Sequence, residues 1–187
     1  MRAGQSSHDR QYRPGVGMMV LNPKNQVLLC RRVGIPDGWQ MPQGGIDDGE
    51  DPRTAAFREL VEEIGTNAVE ILAETKRWHR YDLPPQLVGV AWDGRFVGQR
   101  QKWFLMRFKG SENDINLETP HPEFDKWIWV PPDHVASRVV SFKQNLYKSV
   151  LAEFRSHLRA AGSAPNQPWR NASSGRLAYL KMMRRRQ

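Results

Sequence analysis

The sequence predicts an α/β fold, a mixed β-sheet sandwiched between helices in an α/β/α arrangement. Three observations carry this. Short apolar runs bounded by turn residues recur along the chain, one helical segment lies early at 52–64, and another lies late at about 142–158.

The elements follow in order. Segments 15–21 and 26–31, largely apolar and flanking the turn Asn22-Pro23-Lys24-Asn25, are expected as strands. Pro36-Asp37-Gly38 marks a second turn before a short extended piece at 39–42. A loop GGIDDGE leads into the first helix, and extended segments are expected at 69–78, 102–109 and 126–130. The last helix closes the body. No internal repeat is visible.

The length suits one domain, expected at 12–161, with a flexible N-terminal arm at 1–11 and a basic, disordered tail at 162–187. The net charge of +8 is concentrated at the ends. The tail carries Arg170, Arg176, Lys181, Arg184, Arg185 and Arg186 with no acidic residue, and Arg2, Arg10 and Arg13 outweigh Asp9 near the start. Basic arms of this kind add nonspecific affinity for RNA, although a solvated tail is the plainer reading. The longest apolar runs are far short of the roughly 20 residues that span a bilayer, so no membrane partner is expected. The first dozen residues lack the apolar centre of a secretory signal, which makes the cytoplasm the expected compartment. The single cysteine, Cys30, lies in an apolar run and is expected as a small core residue. The seven tryptophans are expected mostly in the core, Trp39 least so.

The early helix carries the chemistry. Asp51 followed by Pro52 is an N-cap with proline at the first helical position, and Gly65 is a fitting stop. Wound at roughly 100° per residue, Ala56, Phe57, Leu60, Val61 and Ile64 fill one arc and are expected buried. Glu59, Glu62 and Glu63 share another sector, where they repel one another unless a cation compensates. Arg58 cannot neutralise three carboxylates. A magnesium ion can, since it takes carboxylate oxygens and keeps other positions for water and phosphate. An exposed acidic face would be the ordinary reading of the helix in isolation.

The flanking residues decide otherwise. Gly44 stands before Glu50, and seven further residues lead to Arg58-Glu59-Leu60-Val61-Glu62-Glu63-Ile64-Gly65. This resembles the Nudix box, G-x5-E-x7-R-E-U-x-E-E-x-G-U with U a bulky aliphatic residue, and every fixed identity is present. A chance match in a chain this long is on the order of one in a million. Thr66, in the last aliphatic slot, is the one departure and falls on a packing position. The resemblance implies a Nudix fold and a pyrophosphohydrolase needing Mg2+, with Mn2+ or Zn2+ as substitutes. It implies that Gly44, Glu59, Glu62 and Glu63 hold the metal, with Glu123 reaching it from outside the helix. Arg58 and Glu50 would orient helix and loop, and one carboxylate among the catalytic group of Glu59, Glu62, Glu63 and Glu123, with Arg58, would act as base.

The resemblance extends over about 12–158. YRPGVG, WQMPQGGIDDGED, RYDLPP, GQRQKWF, HPEFDKWIWV and VVSFKQNLY are similar to the RNA pyrophosphohydrolases and to the asymmetrically cutting diadenosine tetraphosphate hydrolases, one branch of the superfamily. Ser141 and Gln144 have capping-box spacing, which would put Phe142 and Lys143 in the first turn of the last helix. A lysine there is unfavourable unless an anion lies close. With the family match, Lys143 is expected to meet phosphate and Phe142 to stack on a base. Arg13, Arg31 and Gln43 match positions the family places near the phosphate chain or terminal nucleotide, and Tyr81 is a further stacking candidate. The implied activity is removal of pyrophosphate from the 5′-triphosphate end of RNA, leaving a 5′-monophosphate. The alternative is cleavage of diadenosine tetraphosphate to ATP and AMP. A Nudix-fold binding protein without activity is the distant alternative, since no box glutamate is missing. No protein partner is implied.

Overall fold

The computed structural model of the protein describes residues 12–160. The expected N-terminal arm and basic tail lie outside the described residues. In chain order the elements are β1 (Tyr12–Leu21), β2 (Val27–Arg32), β3 (Trp39–Gln40), β4 (Gln43–Gly45), α1 (Pro52–Ile64), β5 (Val69–Glu74), β6 (His79–Asp82), β7 (Gly98–Phe108), β8 (Phe124–Val130), α2 (Pro132–Arg138), α3 (Gln144–Glu153) and α4 (Arg155–Ala160).

Two long strands form the centre. β1 and β7 run parallel, in register from Tyr12 opposite Gly98 to Leu21 opposite Arg107. Each is flanked by different partners along its length. β1 meets β4 at Gly15 to Gly17 and β2 at Leu21, while β7 meets β6 near its start and β5 near its end, all antiparallel. β2 is flanked by β3 and β8. The result is the mixed sheet that the sequence predicts.

Alternation sorts the core. Met19, Leu21, Trp103 and Leu105 pack with Val135, Leu146, Tyr147 and Val150 of α2 and α3. Val16, Met18, Val20, Phe104 and Met106 pack with Ala55, Ala56, Leu60 and Ile64 of α1. Because both faces are covered, β1 is buried continuously from Gly15 onward, as a central strand must be. Each such Leu or Val withdrawn from water contributes about 1.5–3 kcal/mol before ordering costs. Gly17 lies flat against the Trp103 indole, where a β-carbon would stand 2.4 Å from ring atoms.

α1 begins and ends as expected. Asp51 accepts from the backbone N–H of Arg53 at 2.9 Å and of Thr54 at 3.3 Å, and Gly65 takes φ 74° to close the helix onto the Val61 carbonyl. Its roll differs from expectation. Val61 is 45% exposed and Phe57 half-buried, whereas Glu63 is only 3% exposed. The helix turns toward β4, so the arc through Ala56, Leu60 and Glu63 faces inward.

Other boundaries also differ. The extended segment expected at 69–78 is a strand only over β5, and β6, which follows it, had no expected counterpart; the two pair with opposite ends of β7. The expected late helix is a 3-10 turn at Ser141–Lys143, then α3, then α4 after a break at buried Phe154. α2, started by Pro132, had no counterpart in the sequence reading. Among the six described tryptophans only Trp103 is fully buried, and Trp78 is 42% exposed. Cys30 is buried as expected, and burial pushes its thiol well above the usual range, so it is inert.

Candidate active site

β4 and α1 are joined by a loop that Arg58 staples to the helix. The Arg58 guanidinium donates through Nε to Glu50 Oε1 at 2.9 Å and through Nη2 to Glu50 Oε2 at 2.7 Å. Nη2 also donates to the Gly45 carbonyl at 3.0 Å. This fork, with the Asp47 N–H donating to Glu50 at 3.0 Å, holds the Glu50 carboxyl down at about 2. The same fork raises the Arg58 guanidinium above its ordinary range. Arg58 thus ties the loop to the helix, and it also reaches Glu59 at 3.0 Å and Glu62 at 3.3 Å.

Glu59 and Glu63 point at β4. The Glu59 carboxylate fills the space beside Gly44, where a β-carbon would stand 1.8 Å from its Cδ. One turn on, Glu63 Oε2 accepts from the Gln43 N–H at 2.9 Å. Burial raises both carboxyls, Glu63 far more, and neighbouring Glu123 raises each of them further. Glu62 is exposed, as is Glu123, whose nearest cation is Arg32 at 3.5 Å. The structure thus gathers Glu59, Glu63 and Glu123 into mutual repulsion around Gly44, with Glu62 at the rim.

A buried cation faces them. Lys143 Nζ donates to Gln40 Oε1 at 2.8 Å and lies 5.2 Å from the centre of the Tyr81 ring and 5.7 Å from that of Phe142. Burial, aided by Arg32, lowers its ammonium to about 7, while Glu63 and Glu123 oppose the shift. This corrects the capping-box expectation. Ser141 caps nothing through its side chain, and Lys143 precedes α3 with its side chain turned inward rather than out along the helix end. Phe142 and Tyr81 pack at 5.7 Å and 50°, Tyr81 being buried and Phe142 half-buried. Phe142 consequently offers more ring surface to a base than Tyr81 does.

The remaining candidates divide. Gln43 borders Gly44, and its Oε1 is buried without a hydrogen-bond partner. Arg13 lays its guanidinium against Gly45 and 5.5 Å from the Trp92 ring. Arg31 is turned away into a two-pronged pair with Asp125, both contacts at 2.8 Å, so its charge is already answered. Its neighbour Arg32 faces the site instead, felt by Lys143 and Tyr81. A register shift between the two arginines, where β2 meets β8, breaks the alternation that a sequence reader would apply. Gln40 and Gln99 were also not anticipated. The Gln99 side chain donates to the Gly44 carbonyl at 3.2 Å and accepts from the Tyr81 hydroxyl and the Gln101 amide, both at 3.0 Å. Lys143, Gly44 and Tyr81, to which they bond, are distant in the chain, so no local signal marks them.

The donor chemistry suits a hard divalent cation. Crowded carboxylates, two of them with raised affinity for protons, and a backbone carbonyl at Gly44 form an all-oxygen set. Gln43, the residue before Gly44, keeps its Oε1 buried without a hydrogen-bond partner while its side chain also reaches the Tyr81 hydroxyl. Among the described residues, no group of three or more His, Cys, Asp or Glu side chains is closed up as a ready-made metal site. Arg58 Nη1 lies between Glu59 and Glu62 and donates to both. No helix among the described residues is long and apolar enough to cross a membrane.

The NUDIX domain family model matches residues 11–150. An RNA pyrophosphohydrolase of Rhodospirillum rubrum is 54% identical over 157 residues, covering 84% of this chain and 92% of its own. One of Rickettsia typhi is 50% identical over 149 residues, covering 79% and 92%. Among solved structures, a C. elegans Ap4A hydrolase binary complex is similar with a TM-score of 0.55 at 19% identity, covering 76% of this chain and 98% of its own; it speaks to the fold alone.

Proposed function

This chain belongs to the Nudix family, and from that premise we infer that it is a metal-dependent hydrolase removing pyrophosphate from the 5′-triphosphate end of RNA, leaving a 5′-monophosphate. The single observation that carries the reading is the gathering of Glu59, Glu63 and Glu123, with buried Lys143 close to Glu63 and Glu123. Carboxylates that repel one another are suited to hold cations, and a cation among aromatic rings is suited to hold a nucleotide's phosphate. Relatives about half identical to this chain and named RNA pyrophosphohydrolase support RNA as the substrate.

Glu59, Glu62, Glu63 and Glu123, with the Gly44 carbonyl, are the residues that would hold the divalent ions. The oxygen donors favour Mg2+, with Mn2+ next. Such ions, when bound, neutralise the polyphosphate and lower the pKa of an attacking water. The protein's own residues do the positioning. Arg58 fixes the Gly45–Glu50 loop against α1, and Gln99 fixes the Gly44 carbonyl. Lys143, Arg13 and Arg32 supply positive charge for the phosphates, Gln43 supplies a polar contact, and Phe142 supplies the face for a base. One of the glutamates takes the proton from water. The cytoplasm is the compartment proposed.

A side-by-side rate comparison with Mg2+ tests this reading, using triphosphorylated RNA and diadenosine tetraphosphate. Faster release of pyrophosphate from RNA is expected. A large preference for the dinucleotide, giving ATP and AMP, would replace the reading with nucleotide clearance.

A further inference from the structure

Trp78 is a large aromatic residue left 42% exposed in a chain whose central indole, Trp103, is fully buried. It stands just before β6 and lines a surface cavity of about 280 Å³ with Arg77, His79, Arg80 and, from α3, Asn145, Leu146 and Ser149. The Arg100 guanidinium lies 5.2 Å from the centre of its ring. The nearby carboxylate, Glu153, is occupied by His79 at 2.8 Å and by the Lys76 N–H. The cavity is otherwise lined by Arg77 and Arg80, the latter 5.3 Å from the centre of the Tyr12 ring, with the Trp78 indole, Leu146 and the hydrogen-bonding side chains of Asn145 and Ser149.

We propose that this groove between β6 and α3 receives the RNA strand beyond its 5′-terminal nucleotide, with a base stacked on Trp78 and phosphates met by Arg77 and Arg80. The inference rests on RNA as the substrate. Position supports it. Tyr81 lies one residue beyond Arg80, and Lys143 lies two before Asn145, so the groove adjoins the Phe142–Lys143–Tyr81 corner. From Lys143 to Ser149 the chain advances about 9 Å at a helical rise, a span of one or two nucleotides. Chemistry supports it as well. Guanidinium groups beside an exposed aromatic face form the surface that binds single-stranded RNA without regard to sequence, because every base has a face to stack. A dinucleoside polyphosphate has no extended backbone to lie there.

The test compares a triphosphorylated dinucleotide with a triphosphorylated octanucleotide, on the full chain and on its Trp78→Ala and Trp78→Phe variants. Trp78→Ala should raise KM for the octanucleotide about tenfold, leave the dinucleotide nearly unchanged, and be rescued by Trp78→Phe. An octanucleotide KM equal to the parent's overturns the groove while RNA stands as the substrate. Equal losses on both lengths also overturn it, since they mark a structural role. If the parent hydrolyses neither RNA but cleaves diadenosine tetraphosphate, the substrate reading fails and the groove falls with it.

Discussion

Glu59 occupies the space that a side chain on Gly44 would need: a β-carbon built there stands 1.8 Å from the Glu59 Cδ. The glycine and the glutamate are fifteen positions apart, yet each is the reason for the other. A carboxylate can reach the β4 backbone only because Gly44 has no side chain. Gly44→Ala should therefore displace either β4 or Glu59. We expect kcat/KM for triphosphorylated RNA to fall roughly hundredfold, with a stability loss of ~1–3 kcal/mol. Steady-state kinetics and thermal unfolding of the same preparation check both.

The Arg58–Glu50 fork makes an acid-stability prediction. The Glu50 carboxyl is held at about 2, against an ordinary 4.5, first by its hydrogen bonds from Arg58. A folded value below the unfolded one means that the unfolded chain takes up the proton first as acid is added. The fork's contribution is thus fully present above about 4.5 and is lost as pH falls toward 2. Glu50→Gln should be less stable than the parent at neutral pH, and the gap should close across that window. Denaturant unfolding at several pH values reads it directly.

Lys143 predicts the same direction with pH in a higher window, from a charge that folding disfavours, and a trade between stability and function. Burial holds its ammonium at about 7, below an ordinary 10.5. The unfolded chain therefore binds the proton more tightly, and parental stability rises with pH from about 7 to 10.5. Lys143→Met should be more stable than the parent at pH 7 and below, by roughly 1–3 kcal/mol. The advantage should shrink as pH rises through that range. The same variant should show a raised KM for triphosphorylated RNA, about tenfold or more.

Gln99 is expected to position Gly44 from within the core. Trp103 Nε1 donates to Gln101 at 3.1 Å, Gln101 donates to Gln99, and Gln99 donates on to the Gly44 carbonyl. Gln99→Leu leaves the Tyr81 hydroxyl, the Gln101 amide and that carbonyl without their partner, at a cost of ~1–3 kcal/mol. Its kcat should fall more than its KM rises, since the carbonyl belongs to the cation end of the site. Equal kcat in parent and variant would remove Gln99 from this role.

What the chain revealed in advance was local. The caps of α1, Asp51 and Gly65, sit within the residues they terminate, and the glutamate spacing follows from helix geometry alone. The roll of α1 was not legible, because burial of Glu63 depends on β4 arriving from across the sheet. Ser141 and Gln144 suggested a cap by spacing, but packing of Lys143 against Gln40 and two rings determined the local structure instead. The choice between Arg31 and Arg32 was hidden by the irregularity where β2 meets β8. Gln99 reads as an ordinary strand residue until β4 and β6 bring Gly44 and Tyr81 to it. Glu59, Glu62 and Glu63 were named from spacing, while the buried polar chain behind them required the fold.

The most direct test of the account is hydrolysis of triphosphorylated RNA by the parent and by Glu63→Gln, each with Mg2+ and with chelator. The account predicts that the parent releases pyrophosphate only with the metal. The variant should lose at least about a hundredfold in rate, while unfolding no earlier than the parent, because a neutral amide replaces a carboxyl that burial already opposes. Glu63→Gln turning over RNA as fast as the parent would contradict it.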